Sequence, residues 1–363
     1  MVGQRFRAQT KRWISPHLFR LARLGRCLPP PQGCLIVTFH RIVDAAAIGP
    51  FGHTVWGGSP ATFAATVAWL KRHFHLITLE ELLAALNGHR LPPRALLLTF
   101  DDGYRDLFLH AFPILRQLKA PATVFVTTDV IDHADALLWM DRLSYALWTT
   151  RNETVECPGL GLIRLADETL RRAAYGRIIG RLKRIDESQR RRELEQLLAL
   201  LKVTFPSRVA EGVYLSSEEI RTMSRHEISI GSHTCSHPIL SRISGSALRR
   251  EIVESKALLE AMIERPVTAF AYPNGTPADY TDETIALLRE AGFRAAMTTV
   301  PGVNRLDRQR DPFRLKRIHA GEGSGALQYL LGRTGVIERF PVLRGRSKRD
   351  HQIEDAREAL AAS

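Results

Sequence analysis

The chain has 363 residues, of which 45% are hydrophobic and 25% are charged; this composition is typical of soluble globular proteins and excludes a disordered or fibrous class. It contains 51 Lys and Arg residues against 38 Asp and Glu residues, which gives a formal net charge of +13. Its 4 cysteines form no Cys-x-x-Cys pair, which argues against a thiolate zinc site or a disulfide scaffold.

Residues 1–33 form a basic N-terminal arm, with several Lys and Arg residues, no Asp or Glu, and hydrophobic side chains such as Trp13 between the charges. Such a segment can make a peripheral contact with an anionic membrane surface, and a frayed basic terminus is the alternative. The arm shows no apolar core or cleavage site of a secretory signal. We therefore expect a cytoplasmic protein, associated with the inner membrane face through residues 1–33.

The folded body is expected over residues 34–335, after a proline-rich break. Seven short apolar runs alternate there with segments of helical periodicity, which indicates βα units around a mainly parallel sheet that is buried on both faces. The predicted strands are 35–39, 95–100, 122–126, 228–231, 267–271, 294–298 and 314–318. The predicted helices are 61–72, 79–87, 106–118, 245–264 and 281–291.

Two further segments do not follow this alternation. Residues 133–216 are too many for one crossover helix, and the arginine-rich stretch 167–202 has helical character, so we predict a helical insert there. This insert could form a wall of a substrate site, a partner surface or a lid, and a solvated helical hairpin is an equally good interpretation. Residues 336–363 are predicted to be a polar, basic tail.

Polar side chains stand at the carboxyl end of each predicted strand, where a parallel barrel places its active site. In chain order they are His40, Asp101, Asp102, Thr127, Thr128, His233, Tyr272, Thr299 and His319, and Pro273 stands beside Tyr272.

The first motif is Asp101-Asp102-Gly103, which follows a buried strand. Because successive strand residues point to opposite faces, both carboxylates can share a site only if the chain turns there, and Gly103 allows this turn. Two such carboxylates can divide their roles, one binding a metal and the other accepting a proton. The alternative to such a catalytic role is that Asp101 or Asp102 caps the helix that follows.

The second motif is His233-Thr-Cys-Ser-His237, again at a strand end. Histidines at this spacing can present nitrogens to one ion, and two histidines with one carboxylate leave a position open for water, as in catalytic zinc sites. Cys235 between them could be a ligand or a small buried side chain. His40 could line the pocket or be a structural histidine.

Together the two motifs make residues 34–320 resemble the polysaccharide deacetylase family, carbohydrate esterase family 4. The resemblance rests on Thr99-Phe-Asp-Asp-Gly-Tyr104 and Ser232-His-Thr-Cys-Ser-His237, with support from Phe270-Ala-Tyr-Pro-Asn-Gly275. Residues 34–41 look like the opening strand of the bacterial envelope-polysaccharide branch. The resemblance implies a distorted, seven-stranded (β/α) barrel, here with a helical insertion.

By this resemblance, Asp102, His233 and His237 hold a divalent metal, most simply zinc, and Asp101 is the general base. Water attacks an N-acetyl carbonyl, and the Tyr104 N–H helps to stabilise the oxyanion. His40, Tyr272 and Pro273 are expected to contact the N-acetylated saccharide. His319 is the loose counterpart of the family's protonating histidine, and a pocket-edge or structural role is the alternative for it.

The third motif departs from the family pattern, since Ala271 and Asn274 stand where many members have a base-orienting arginine and an aromatic residue. A different residue must therefore orient Asp101, or its activation is weaker.

The sequence thus favours a metal-dependent carbohydrate N-deacetylase. Alternative substrates are an acetyl ester or a non-saccharide amide. The alternative function is that of an inactive saccharide-binding protein on the same fold. Specific nucleic-acid binding is not expected, because no recognition motif accompanies the basic arm.

Overall fold

A curled parallel sheet forms the framework of the protein. The computed structural model describes residues 33–51, 55–306 and 311–320. Its strands are β1 (Cys34–Phe39), β2 (Arg41–Ile42), β3 (Trp56–Gly58), β4 (His75–Leu76), β5 (Ala95–Phe100), β6 (Ala122–Val126), β7 (Thr154–Cys157), β8 (Gly161–Arg164), β9 (Ile228–Ser232), β10 (Ala269–Ala271), β11 (Ala295–Met297) and β12 (Ile318–His319). The main sheet has the order β11-β10-β9-β6-β5-β1-β12, and β4 pairs with the start of β5.

The main sheet is the predicted distorted (β/α) barrel. Its neighbouring strands all run parallel, and a parallel bridge from Met297 to Leu315 links the far edge to the chain that enters β12. Every residue of β1, β5 and β6 is buried, as expected for strands covered on both faces. The predicted fold class is confirmed, and each of the seven predicted strands overlaps a strand of the main sheet.

The helices cover the sheet and connect its strands. They are α1 (Pro60–His73), α2 (Leu79–Leu86), α3 (Phe112–Leu118), α4 (Trp139–Thr149), α5 (Glu168–Leu182), α6 (Glu187–Leu200), α7 (Ser217–Ser224), α8 (Gly245–Arg249), α9 (Ser255–Ile263) and α10 (Asp282–Glu290). Hydroxyl groups start several of them: Ser59, Thr78 and Ser216 each accept a hydrogen bond from a backbone N–H of the first turn.

Three elements differ from their predicted form. The predicted helix 106–118 begins with a π-helical turn, Leu107–Ala111, and Pro113, which has no N–H to donate, lies in the first turn of the regular helix that follows. The predicted helix 245–264 contains the π-helical turn Arg250–Glu254, where the Ser255 hydroxyl donates to the Glu251 carbonyl. The seventh strand is shorter and later than predicted, since a 3-10 turn at Pro312–Arg314 precedes it.

Residues 133–216 contain α4, α5 and α6 and also an antiparallel hairpin of β7 and β8. Their apolar side chains form a hydrophobic cluster of their own, which includes Trp139, Leu143 and Leu194. The buried residues of β7 alternate with exposed ones, as is usual for a strand with one solvated face.

The predictions for the two ends of the chain fall largely outside the described residues. The structure describes only Gly33 of the basic arm 1–33 and none of the tail 336–363, so the membrane contact of the arm stays a prediction. Among the residues that are described, no helix has the length and apolar character needed to cross a bilayer.

Candidate active site

Asp102, His233 and His237 come together at the carboxyl ends of β5 and β9. Oδ1 of Asp102 lies 3.3 Å from Nε2 of His233 and also 3.3 Å from Nε2 of His237. All three side chains are buried, and their possible ligand atoms lie within 4.8 Å of one another. The three predicted metal ligands thus form one cluster.

The backbone at this cluster adopts sparsely populated conformations. Asp102, Thr234 and His237 have φ of 73°, 72° and 58°, in the left-handed region that L-residues rarely occupy. Gly103 follows with φ of 81°, and this turn brings Asp101 and Asp102 into one site as the sequence predicted. Such conformations cost about 1–3 kcal/mol each and persist at functional sites, where the surrounding structure holds them.

The two histidines are held in different ways. Nδ1 of His233 lies 2.7 Å from the Ala271 carbonyl, which fixes a proton on Nδ1 and leaves the Nε2 lone pair for a metal. Nδ1 of His237 is buried and has no hydrogen-bond partner among the described residues. The His237 backbone is anchored instead: its N–H donates to Thr234 Oγ1, and its carbonyl accepts from Trp139 Nε1 at 2.9 Å.

Glu251 shapes the loop between the two histidines. Its carboxylate accepts from the N–H groups of Cys235 and Ser236 at 2.8 and 2.9 Å and from the Ser236 hydroxyl at 2.7 Å. Cys235 lies outside the ligand cluster, its Sγ contacts the Arg250 carbonyl, and burial raises its pKa to about 11. Cys235 is therefore a small buried thiol.

The charge states of Asp102 and His237 suit metal binding. Burial raises the pKa of Asp102, but hydrogen bonds from the two histidines outweigh it and lower the pKa well below its usual range. Burial lowers the pKa of His237 to about 4, so this imidazole is neutral at physiological pH. An ionised carboxylate and a neutral imidazole are the forms that bind metals.

Asp101 forms a buried ion pair that the sequence did not reveal. Nη1 and Nη2 of Arg317 donate to its two carboxylate oxygens, each at 2.7 Å. Burial raises the pKa of Asp101, while the charge of Arg317 lowers it, and the net pKa lies below its usual range. Neither Asp101 nor Asp102 caps a described helix. Arg317 orients Asp101, the role for which many family members have an arginine at the position of Ala271.

His40 and His319 flank Asp101. Nε2 of His40 lies 4.0 Å from Oδ2 of Asp101, and its ring centroid is 5.1 Å from that of His319. The His319 side chain, on the short strand β12, is exposed. A proton donor at the edge of the site therefore has two imidazoles as candidates.

The remaining predicted residues are Tyr104, Tyr272 and Pro273, which differ in burial. The Tyr104 hydroxyl donates to Asp141, and the backbone pairing of Tyr104 with Tyr214 leaves the Tyr104 N–H outside the ladder. Tyr272 is 1% exposed, its hydroxyl donates to the Phe313 carbonyl, and its ring stacks on Tyr280. Its side chain is part of the core, whereas the adjacent Pro273 is half-buried.

The donor set fits a divalent transition metal. One carboxylate oxygen and two imidazole nitrogens match catalytic zinc sites, which use three protein ligands and leave a position open. Asp101 lies next to this cluster without belonging to it, so its oxygens are free of a ligand role.

Comparison with known proteins agrees with this geometry. A sequence model of the family described as "Polysaccharide deacetylase" matches residues 88–296. YxkH of Bacillus subtilis, named as a candidate polysaccharide deacetylase, is 22% identical over 263 residues, which are 72% of this chain and 64% of YxkH. A poly-beta-1,6-N-acetyl-D-glucosamine N-deacetylase of Staphylococcus aureus is 35% identical over 106 residues, 27% of this chain and 37% of that enzyme. The chain thus spans less than two thirds of either relative.

Solved structures share the fold. The deacetylase PplD of Streptococcus pyogenes superposes with a TM-score of 0.53 and 18% identity, over 85% of this chain and 99% of PplD. IcaB of Ammonifex degensii gives a TM-score of 0.53 and 18% identity, over 84% of this chain and 97% of IcaB. Since the family model covers more than half of the residues and the predicted motifs form one site, the chain belongs to the polysaccharide deacetylase family.

Proposed function

We propose that this protein is a metal-dependent carbohydrate N-deacetylase, which hydrolyses the amide bond of N-acetylated sugars in a polysaccharide or glycan precursor. The observation that carries the proposal is the buried Asp101–Arg317 pair beside the cluster of Asp102, His233 and His237. A proton acceptor and a metal site are thereby adjacent at one end of the barrel. We further propose zinc as the ion, because one carboxylate and two histidines suit it.

Asp102, His233 and His237 would hold a divalent cation, which would supply Lewis acidity to the acetyl carbonyl and to the attacking water. Asp101 accepts a proton from that water, whose oxygen forms the new bond to the carbonyl carbon. Arg317 keeps the two Asp101 oxygens in place and keeps the carboxylate ionised. We assign the Tyr104 N–H to the developing oxyanion, a role that the family resemblance implies.

The reaction ends with cleavage of the carbon–nitrogen bond. The amide nitrogen must gain a proton as it leaves, and we assign this donation to His319, with His40 as its neighbour in the site. The products are acetate and a free amine on the sugar.

The substrate class rests on the relatives. The staphylococcal enzyme is named for poly-beta-1,6-N-acetyl-D-glucosamine, so oligomers of this β-1,6-linked sugar are our first substrate. An inactive saccharide-binding protein is the alternative, and it has two grounds: the arginine missing from the third motif and the loose match of His319 to the family's acid. The contact of Arg317 with Asp101 removes the first of these grounds.

The test is acetate release from β-1,6-linked N-acetylglucosamine oligomers by zinc-loaded protein. Asp101→Asn is expected to lower the rate at least about 100-fold, because general acid–base catalysis contributes that much. Its zinc content should stay at the wild-type level, since Asp101 is outside the ligand cluster. Glu264→Gln, an exposed carboxylate after α9, is the matched control and should keep full activity.

Unchanged acetate release by Asp101→Asn would contradict the proposed role of this residue. Release from O-acetylated but not from N-acetylated oligomers would reassign the enzyme as an esterase. Zinc binding and oligomer binding without any acetate release would support the saccharide-binding alternative.

A further inference from the structure

His237 is a metal-binding histidine whose second ring nitrogen has no anchor. Histidine ligands usually donate this N–H to a carboxylate or a carbonyl, which fixes the ring. His233 follows this pattern through the Ala271 carbonyl. Nδ1 of His237, in contrast, is buried without a hydrogen-bond partner among the described residues. Outside the ligand cluster, the hydrogen bonds that anchor His237 to the described residues are therefore those of its backbone.

Trp139 holds that backbone from outside the barrel. Its indole Nε1–H donates to the His237 carbonyl at 2.9 Å, across 98 residues of sequence. Trp139 is the first residue of α4, and its ring packs in the hydrophobic cluster of the segment 133–216. Because His237 has a positive φ, its peptide needs support to keep this conformation. The indole supplies a fixed donor for that purpose.

Arg190 in turn holds the indole. Its guanidinium lies over the Trp139 ring at 4.3 Å from the centroid, and Nη2 donates to Glu187. The side chain is buried, yet Nε and Nη1 have no hydrogen-bond partner among the described residues. Burying unpaired donors is costly, and an apolar residue of similar shape would avoid this cost. The contact with Trp139 gives a reason for an arginine at this position.

We propose that Trp139 and Arg190 are positioning residues for His237, through which the segment 133–216 sets the metal affinity of the barrel. The chain of contacts runs from Arg190 to the Trp139 ring and from the indole N–H to the His237 carbonyl. This inference rests on the metal site of the proposed function. It does not depend on the reaction or on the substrate.

The test measures zinc affinity of the full chain by competition with a chromophoric chelator. Trp139→Phe keeps a ring but removes the N–H donor, and we expect a loss of affinity of about 10-fold or more, the range found when partners of metal ligands are removed. Trp148→Phe is the matched control, because Trp148 lies on the same helix and packs against the same cluster. Its affinity should stay within about twofold of wild type, while thermal denaturation reports the structural cost of each change.

Arg190→Met is a second variant, which decides the matter if Trp139→Phe does not fold. It keeps the volume but releases the indole, and we expect a several-fold loss of zinc affinity. The inference is overturned if the folded Trp139→Phe protein binds zinc as tightly as wild type. If Trp139→Phe fails to fold, the inference is overturned when Arg190→Met binds zinc as tightly as wild type. Absence of zinc binding by the wild-type protein would instead overturn the metal site itself.

Discussion

At the scale of single residues, the site depends on the ion pair of Asp101 and Arg317. The side chains are only 4% and 1% exposed, and two hydrogen bonds of 2.7 Å join them. Nε of Arg317 also donates to the Thr298 carbonyl at 2.9 Å. A bidentate pair of this kind fixes direction as well as charge. Removing one partner leaves a charge buried without compensation.

Arg317→Met is therefore expected to lower the free energy of unfolding by about 3–5 kcal/mol, the usual cost of breaking a buried pair. In an Asp101→Asn background the same change should cost much less, because no buried carboxylate is then left unpaired. Urea unfolding of the four proteins measures this coupling. Arg314→Met is the control, since its ion pairs are at the surface and should be worth at most about 1 kcal/mol. Equal losses in both backgrounds would contradict the coupling.

Sequence reasoning found some of these residues and could not find others. Asp101, Asp102 and His233 follow buried apolar strands, so the strand pattern alone placed them at one edge of the sheet. Arg317 is 216 residues away from Asp101 and stands among ordinary basic residues. Only the curvature of the barrel, which brings β12 next to β1, gives it a role. The contact of Trp139 with His237 was hidden because 98 residues of sequence separate the two.

At the scale of elements, Asp141 joins α4 to the barrel. Its carboxylate accepts hydrogen bonds from the hydroxyls of Tyr104, just after β5, and Tyr214, just before α7. The side chains of all three residues are buried. Burial raises the pKa of Asp141 to about 6, although the two tyrosines lower it. The ionised carboxylate is thus less stable in the folded protein than in the unfolded chain.

This pKa predicts how Asp141→Asn changes the pH dependence of stability. Because the pKa of Asp141 is raised in the folded protein, the folded protein binds more protons than the unfolded chain between about pH 4 and 6. The wild-type protein therefore loses stability as the pH rises through this window. Asparagine cannot ionise, so the variant does not lose this stability. As the pH rises from 4.5 to 7, its free energy of unfolding should therefore increase by about 2 kcal/mol relative to that of the wild type. Urea unfolding across this range gives the difference. Asp135→Asn, at an exposed position just before α4, is the control and should show no such trend. If the stability difference between Asp141→Asn and wild type does not change with pH, the raised pKa of Asp141 is refuted.

The elements themselves were predictable where local pattern decides them. Buried strands such as β1 and β5 appear in the sequence as continuous apolar runs, and both were predicted within one residue. The hairpin of β7 and β8 was missed although Val155 and Cys157 alternate with polar residues before Pro158-Gly159. The π-helical turn Arg250–Glu254 coincides with the hydrogen bond from Ser255 to Glu251, a contact that periodicity does not record.

At the scale of the whole molecule, a metal would join distant parts of the chain. Asp102 follows β5, and His233 and His237 follow β9, so more than a hundred residues separate the carboxylate from the imidazoles. The unfolded chain cannot hold these three groups together, whereas the folded barrel does. An ion that binds only the folded state stabilises it by mass action, by about 2.7 kcal/mol when its free concentration is 100 times Kd.

Zinc is therefore expected to raise the free energy of unfolding of the wild-type protein by about this amount, and a chelator should reverse the gain. In His237→Ala the gain should be much smaller at the same zinc concentration, because one of the three ligands is missing. His319→Ala should keep it, since this histidine flanks Asp101 and is no part of the ligand cluster, even though we assign it to proton transfer. Denaturant unfolding with and without zinc, compared within each variant, cancels the structural cost of the substitution. Loss of the zinc gain in His319→Ala, or its full retention in His237→Ala, would mean that the metal is held by a different set of side chains.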